Sequence, residues 1–289
     1  QGLTNDNYLT AKELGNTAES RIRVVIVLKS DSILENAEAQ GTSVKYLAED
    51  AVTAQLQNLT AEQDKVKEQL EADGIALSAE GGEGDAPADE SFTAVINGFS
   101  AYVSPADIEN IRQNPNVEDV FPVVEYTRPV EPDMASSTLM VGAPYANNLG
   151  YAGQGQVVAV IDSGIDPSHA DLQSLSEDTV PALTEKVVAA SGLPGRYLNE
   201  KIPYAYNYYD QSSLVEDIGK DGQHGQHVAG TVAANGGIKG VAPEAQVLGM
   251  KVFSDDILYA TTFSAIYLKA IDDAILLGAD AINMSLGSP

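Results

Sequence analysis

The stretch VVAVIDSGID at residues 157–166 decides the class of the fold. Its first five residues are apolar without alternation, which predicts a strand buried on both faces of a parallel sheet. Asp162 follows at the carboxyl end of this strand, the edge at which open α/β sheets gather ligands and catalytic groups. Ser163-Gly164 predicts a tight turn that exposes the carboxylate there. An ordinary turn residue is the alternative interpretation of Asp162, because aspartate is common in turns.

A second motif, HGQHVAG, begins at His224 and runs into small residues that predict a helix lying close against the sheet. A neutral imidazole accepts a proton through one nitrogen when a carboxylate holds the other. Asp162 and His224 together therefore predict a general base with its orienting partner, although a lone histidine at a helix start is more often structural. A nucleotide-binding α/β enzyme is excluded, because no G-x-G-x-x-G turn follows the strand.

Three motifs, VAVIDSGID, HGQHVAG and INMSLGSP, resemble those of the subtilisin-like serine proteases, the subtilase family, in which the triad runs Asp, His, Ser along the chain. The resemblance implies that Asp162 orients His224 and that His224 is the general base. It implies that no cofactor is required for the chemistry and that the substrates are polypeptides. It also implies a backbone strand that pairs with extended peptide, made of Ser285, Leu286 and Gly287. An ordinary core strand is the alternative for that last segment.

Two further features resemble the lactocepin-like cell-envelope branch of the family. One is the long separation of the Asp and His motifs, which includes the Tyr-rich run at 203–210. The other is Gln226, which stands where the common motif has threonine. This difference leaves the catalytic interpretation intact, because the side chain of Gln226 need not touch the base.

The family's nucleophile turn, a GTSxA-like motif, and its oxyanion-hole asparagine loop do not occur in these 289 residues. Ser285 and Ser288 are not substitutes, because neither lies in a strand-to-helix turn. We therefore expect an N-terminal fragment of a secreted serine endopeptidase, with the remainder of the catalytic domain as its partner and without activity by the triad route on its own. A non-catalytic pseudoprotease or binding module on the same scaffold is the alternative.

The first part of the chain predicts a separate small domain. Its elements are a strand at 23–28, a helix through 47–70, strands within 92–103, a helix that starts at Ser104-Pro105, and a final strand at 117–126. The order β-α-β-β-α-β predicts a ferredoxin-like sandwich, and it resembles the inhibitor-type propeptide of subtilases.

That resemblance implies an intramolecular inhibitor whose tail lies in the catalytic cleft, made of Val123, Val124, Glu125 and Tyr126. Maturation cleavage is expected after Tyr126 or within the linker that follows, at 127–137. An edge strand followed by a plain linker is the alternative interpretation of the tail.

The whole chain is thus expected to be an α+β ferredoxin-like propeptide domain followed by the N-terminal part of an α/β parallel-sheet catalytic domain. The predicted ranges are an N-terminal extension at 1–20, the propeptide at 21–127, a linker at 128–145 and the peptidase segment at 146–289.

The composition limits the partners and the location. The chain has 16 Lys and Arg against 42 Asp and Glu, a formal net charge of −26, so nucleic acid and anionic membranes are excluded as partners. It has no cysteine and no apolar run long enough for a membrane span, and we expect a secreted or cell-envelope protein. Asp171 resembles a calcium ligand of many subtilisins, but the segment at 235–239 is shorter than the family's calcium loop. Structural calcium therefore has no clear predicted site.

Overall fold

The computed structural model describes residues 21–81, 87–127, 137–219, 223–256 and 261–286. The predicted extension at 1–20, residues 128–136 of the linker and Gly287 lie outside the described residues. The chain divides into two compact units, residues 1–124 (unit 1) and 125–289 (unit 2). The domain ranges predicted from the sequence stay predictions.

Unit 1 is a four-stranded antiparallel sheet with helices. Its elements are β1 (Ile22–Leu28), α1 (Ile33–Ala39), α2 (Glu49–Ala72), β2 (Ser91–Phe92), β3 (Gly98–Val103), α3 (Ile108–Arg112) and β4 (Val117–Pro122). The strand order β2-β3-β1-β4, with every neighbouring pair antiparallel, confirms the predicted ferredoxin-like sandwich. The sequence reading missed α1, whose signal is a capping box between Ser32 and Glu35.

The core of unit 1 follows from strand and helix periodicity. Val24, Ile26 and Leu28 alternate along β1 and share one face of the sheet. Val66 and Leu70 lie four residues apart on α2 and pack into the same cluster. Each such side chain contributes about 1.5–3 kcal/mol when fully buried, so this face holds α2 on the sheet.

Unit 2 is built around a parallel sheet. Its elements are β5 (Glu125–Thr127), α4 (Ser137–Met140), α5 (Ala143–Asn148), β6 (Val157–Asp162), α6 (Glu185–Ala190), β7 (Tyr204–Asn207), α7 (His224–Ala233), β8 (Gln246–Lys251), β9 (Thr261–Phe263), α8 (Ser264–Leu276) and β10 (Ala281–Met284). The parallel order β10-β6-β8-β7 confirms the predicted α/β sheet. The apolar residues 157–161 form β6, which lies between two neighbours and is almost wholly buried.

The predicted final strand at 117–126 is not one strand. It divides into β4 and β5, and Val123 and Val124 lie between them. The amide of Val123 still donates to the Arg23 carbonyl in unit 1, whereas Glu125 pairs with Phe263 of β9 in unit 2. The run divides because its backbone bonds to unit 1 up to Val123 and to β9 from Glu125 onward. Hydrophobic periodicity does not encode such a change of partner.

A buried carboxylate anchors the loop after β6. Glu244 accepts hydrogen bonds from the Ser176 amide at 2.9 Å, the Ser176 hydroxyl at 2.5 Å, Thr179 at 2.9 Å and Asn235 at 3.1 Å. Burial on its own raises the pKa of Glu244, but the bonds from Ser176, Thr179 and Asn235 outweigh burial and lower it below the ordinary value of 4.5.

Beside this carboxylate, Lys201 is fully buried and donates to the carbonyls of Pro243 and Ala245 at 2.5 and 2.6 Å. Burial lowers the pKa of Lys201 to about 8, although the negative charge of Glu244 opposes that change. Lys201 thus satisfies two carbonyls of the turn at 243–245 that leads into β8.

We expect Glu244→Gln to destabilise the protein by about 1–3 kcal/mol at neutral pH, because it removes charge-assisted hydrogen bonds. Because the pKa of Glu244 is lower in the folded than in the unfolded state, its ionised carboxylate stabilises the folded protein at pH values above the unfolded-state pKa. This stabilisation is lost as the pH falls through the folded-state pKa. The difference between Glu244→Gln and the wild type should therefore shrink in acid. Urea unfolding at neutral and acidic pH measures this, with the exposed neighbour Glu177→Gln as control. A difference that does not change with pH would contradict this interpretation.

Candidate active site

Asp162 and His224 lie together at the carboxyl edge of the parallel sheet. Asp162 is the last residue of β6 and is 1% exposed, and His224 is the first residue of α7 and is 9% exposed. Nδ1 of His224 lies 2.7 Å from Oδ1 of Asp162. An ionised carboxylate can only accept, so Nδ1 donates this bond and Nε2 is left as the basic nitrogen of the ring. The pair has the geometry of a base with its orienting carboxylate.

The turn after β6 fixes the carboxylate and receives the helix. Oδ1 of Asp162 also accepts the Ser163 amide at 2.6 Å, which sets the rotamer of the aspartate. The Ser163 hydroxyl accepts the Gly225 amide at 3.0 Å and so joins the turn to the first residues of α7. A Cβ on Gly225 would lie 2.3 Å from the Gly164 carbonyl oxygen. Only glycine at 225 lets the helix approach closely enough for the Asp162–His224 bond.

Gln226 makes a second contact between the same two segments. Its Oε1 accepts the Asp166 amide at 2.8 Å, which holds the loop after Asp162 against α7. From the sequence we expected only that Gln226 need not touch the base. The bond to Asp166 was not predicted, because hydrophobic periodicity cannot show a contact between residues 60 positions apart. Gln226 thus acts on the backbone that carries the pair.

A buried lysine supports the site from the neighbouring strand. Lys251 is paired with Asp162 in the β6–β8 register and is fully buried. Its Nζ donates to the Glu216 carbonyl at 2.8 Å and to Asp255 at 2.6 Å. These bonds fix the loop around Glu216, against which Gly164 packs so closely that a Cβ would lie 2.5 Å from the Val215 carbonyl oxygen.

The predicted substrate strand begins at the same sheet edge. Met284, the last residue of β10, pairs with Ile161, so Ser285 and Leu286 follow beside Asp162. The Ser285 hydroxyl donates to the side chain of Asn283 in β10 at 3.1 Å. Gly287 lies outside the described residues. The contact of this segment with peptide stays a prediction.

Of the four predicted cleft residues, two lie along a strand of unit 2. Glu125 and Tyr126 belong to β5, which pairs with β9 in antiparallel register. Val123 bonds to the backbone of unit 1 and Val124 is exposed. The predicted cleavage region after Tyr126 lies largely outside the described residues.

Asp171 is hydrogen-bonded to the segment at 235–239. Its Oδ1 accepts the Gly237 amide at 2.5 Å, and its carbonyl accepts the Asn235 amide at 2.8 Å. Across the described ranges, no group of three or more His, Cys, Asp or Glu side chains converges as a metal site.

Comparison with known proteins agrees with this geometry. Residues 153–289 match the family model described as "Subtilase family", and residues 23–128 match the model described as "Peptidase inhibitor I9". The chain belongs to the subtilase family.

Several curated subtilases are similar to it. A PII-type proteinase from Lactococcus lactis subsp. cremoris is 44% identical over 211 residues, which cover 70% of this subtilase and 11% of the relative. Minor extracellular protease Vpr from Bacillus subtilis (strain 168) is 32% identical over 212 residues, or 68% of this chain and 23% of the relative. The lactococcal relatives confirm the lactocepin-like resemblance, and the chain spans only about a tenth of their length (11%).

A solved structure shares the fold of this subtilase. The crystal structure of an epidermin leader peptide processing serine protease from Staphylococcus aureus superposes with a TM-score of 0.50 at 14% identity, covering 93% of this chain and 51% of that protein. In the part of the subtilase that the structure describes, no helix is long and apolar enough to cross a membrane.

We expect Gly225→Ala to destabilise the protein by about 1–3 kcal/mol, because the new methyl group would overlap the Gly164 backbone. Gly230→Ala is the matched control in the same helix. A Cβ there would meet no atom within 4 Å, and we expect stability to rise by about 0.5–1 kcal/mol, since alanine favours a helix over glycine. Urea unfolding measures both variants, and equal stabilities would show that the close approach at Gly225 is not required.

Proposed function

We propose that this chain supplies the inhibitory propeptide and the Asp–His part of the catalytic triad of a serine endopeptidase that is made as a zymogen. The observation that carries the proposal is the 2.7 Å bond between His224 Nδ1 and Asp162 Oδ1 at a sheet edge. The serine nucleophile and the oxyanion donors would come from outside these 289 residues.

Each residue has a role in this mechanism. Nε2 of His224 takes the proton of the serine hydroxyl as its oxygen attacks the carbonyl carbon of the peptide bond, and His224 returns the proton to the leaving amine. Asp162 fixes the tautomer and stabilises the positive charge that the ring carries between these transfers. The extended substrate would add to the backbone edge at Ser285, Leu286 and Gly287.

The propeptide would inhibit by occupying the peptide-binding edge. The pairing of Glu125 and Tyr126 with β9 supports this, because an extended segment on a strand edge imitates a bound substrate. In this proposal Val123 and Val124 lead from the propeptide into the cleft, and cleavage falls after Tyr126 or within residues 127–137.

We place the mature enzyme outside the cell or on its envelope. The name of one relative, minor extracellular protease Vpr, supports this location. The absence of cysteine agrees with secretion in organisms that do not rely on disulfide bonds. Polypeptides are the proposed substrates.

We expect His224→Ala, made in the complete protein, to lower peptide hydrolysis by about three orders of magnitude or more, because the base is lost. The same variant should retain its propeptide, as measured by intact mass after incubation. His227→Ala is the matched control, since His227 lies one turn along the same helix and is exposed. It should process and cleave like the wild type.

Two outcomes would contradict the proposal. If the wild type and His224→Ala both stay intact and inert although folded, the chain is a binding module on a subtilase scaffold. If His224→Ala cleaves as well as the wild type, the activity belongs to another site.

A further inference from the structure

The residue before His224 has an unusual backbone conformation. Gln223 is the N-cap of α7 and has φ 87° and ψ 10°, in the left-handed region. For a residue with a Cβ, this conformation is about five- to thirtyfold less populated than the right-handed one. Among the described residues, Gln211 is the one other non-glycine with a positive φ. Such an exception directly before the base points to an interaction that holds it there.

The backbone of Gln223, and not its side chain, makes that interaction. The side chain is exposed and makes no capping hydrogen bond to the helix. The Gln223 amide donates to Oδ2 of Asp217 at 3.0 Å, and Oδ1 of the same carboxylate accepts the Gly219 amide at 3.2 Å. A hydrogen bond to an ionised carboxylate is stronger than one between neutral groups. The carboxylate of Asp217 therefore favours the conformation that the Cβ of Gln223 opposes.

The position of Asp217 is itself fixed from the central sheet. The Nζ of Lys251, a buried residue of β8, donates to the Glu216 carbonyl at 2.8 Å and to Asp255 at 2.6 Å. Oδ1 of Asp255 also accepts the Ile218 amide at 3.3 Å. The residues on both sides of Asp217 are thus tied to one buried lysine, so the carboxylate is held in a defined place.

The conformation of Gln223 decides where the ring of His224 lies. The angle φ is the rotation about the N–Cα bond, so with the Gln223 amide held by Asp217 it sets the direction in which the chain enters α7. A right-handed φ would turn that direction by roughly 150°. Nδ1 of His224 would then leave Oδ1 of Asp162, from which it is now 2.7 Å away. A displacement of a catalytic group by about 1 Å lowers a rate by about a hundredfold.

We propose that Asp217 is a positioning residue, whose carboxylate holds Gln223 in the left-handed conformation that presents His224 to Asp162. The proposal rests on the proposed peptidase function, because it takes His224 as the base. Asp217 acts through the backbone of Gln223 and has no role in the chemistry itself. Glycine at 223 would not need this support, since it adopts a positive φ without a steric penalty. The effects of changes at 217 and 223 should therefore depend on each other.

The test is a cycle of variants in the complete protein, assayed by hydrolysis of a peptide substrate. We expect Asp217→Ala to lower kcat about five- to thirtyfold with little change in KM, because the left-handed conformation loses its hydrogen bond. Adding Gln223→Gly should return kcat to within about threefold of the wild type. Adding Gln223→Ala instead removes the same side chain but keeps the Cβ, so it should restore nothing.

Two single variants separate the hydrogen bond from the charge. Asp217→Asn keeps a side-chain oxygen that can accept the Gln223 amide, so kcat should stay within about threefold of the wild type. Glu216→Ala removes the neighbouring carboxylate, which is exposed, and should change kcat by no more than about twofold. Asp217→Asn with the same loss as Asp217→Ala would contradict the role of the acceptor oxygen.

The Nδ1 proton of His224 gives a readout that does not require hydrolysis. Nuclear magnetic resonance of the labelled ring should show this proton weakened in Asp217→Ala and restored when Gln223→Gly is added. Thermal unfolding shows whether each variant is folded. If Asp217→Ala does not fold, the double variant with glycine at 223 should fold and the one with alanine should not. The opposite result would overturn the proposal.

Failure of this proposal differs from failure of the peptidase function. A folded Asp217→Ala that cleaves like the wild type, or a loss that Gln223→Gly does not restore, overturns the role of Asp217 and leaves the peptidase function standing. A wild type that hydrolyses nothing overturns the peptidase function, and the Nδ1 proton still shows whether Asp217 positions the ring.

Discussion

The close contact between the first turn of α7 and the turn after β6 is the constraint on which the site depends. It brings Asp162 and His224, 62 residues apart in the chain, to 2.7 Å. Glycine at 225 is required because a Cβ there would overlap the Gly164 backbone. The hydroxyl of Ser163 then bonds the Gly225 amide, so close packing and hydrogen bonding favour the same arrangement.

Buried charged side chains near the site stabilise this arrangement. Charges in a protein interior are costly unless they are paired or hydrogen-bonded. Lys251, beside Asp162 in the sheet, bonds Asp255 and the Glu216 carbonyl, and Glu244 accepts hydrogen bonds from two loops. In the Tyr-rich run, the Tyr208 hydroxyl donates in the same way to the buried Asp273 of α8. The chain has a net charge of −26. Most of its acidic groups lie on the surface, whereas the few charged groups in the interior are paired or hydrogen-bonded.

The sequence predicted what depends on local pattern. The apolar run before Asp162 predicted β6, the small residues after His224 predicted α7, and the β-α-β-β-α-β order predicted the sandwich, all as the structure has them. Apart from the Asp162–His224 pair, which the motifs implied, contacts between distant segments were not predictable. The bond from Gln226 to the Asp166 amide and the change of partner after Val123 depend on tertiary placement, which periodicity does not carry.

The state of the His224 ring tests the central claim most directly. The chain has three histidines, so nuclear magnetic resonance of isotope-labelled ring nitrogens can be assigned through single His substitutions. We predict that in the neutral ring of His224 the proton lies on Nδ1, exchanges slowly and resonates far downfield, and that Nε2 carries none. Loss of this signal in Asp162→Ala would identify its partner. A neutral ring with its proton on Nε2, or an Nδ1 proton that persists without Asp162, would contradict the claim that this carboxylate prepares His224 as a base.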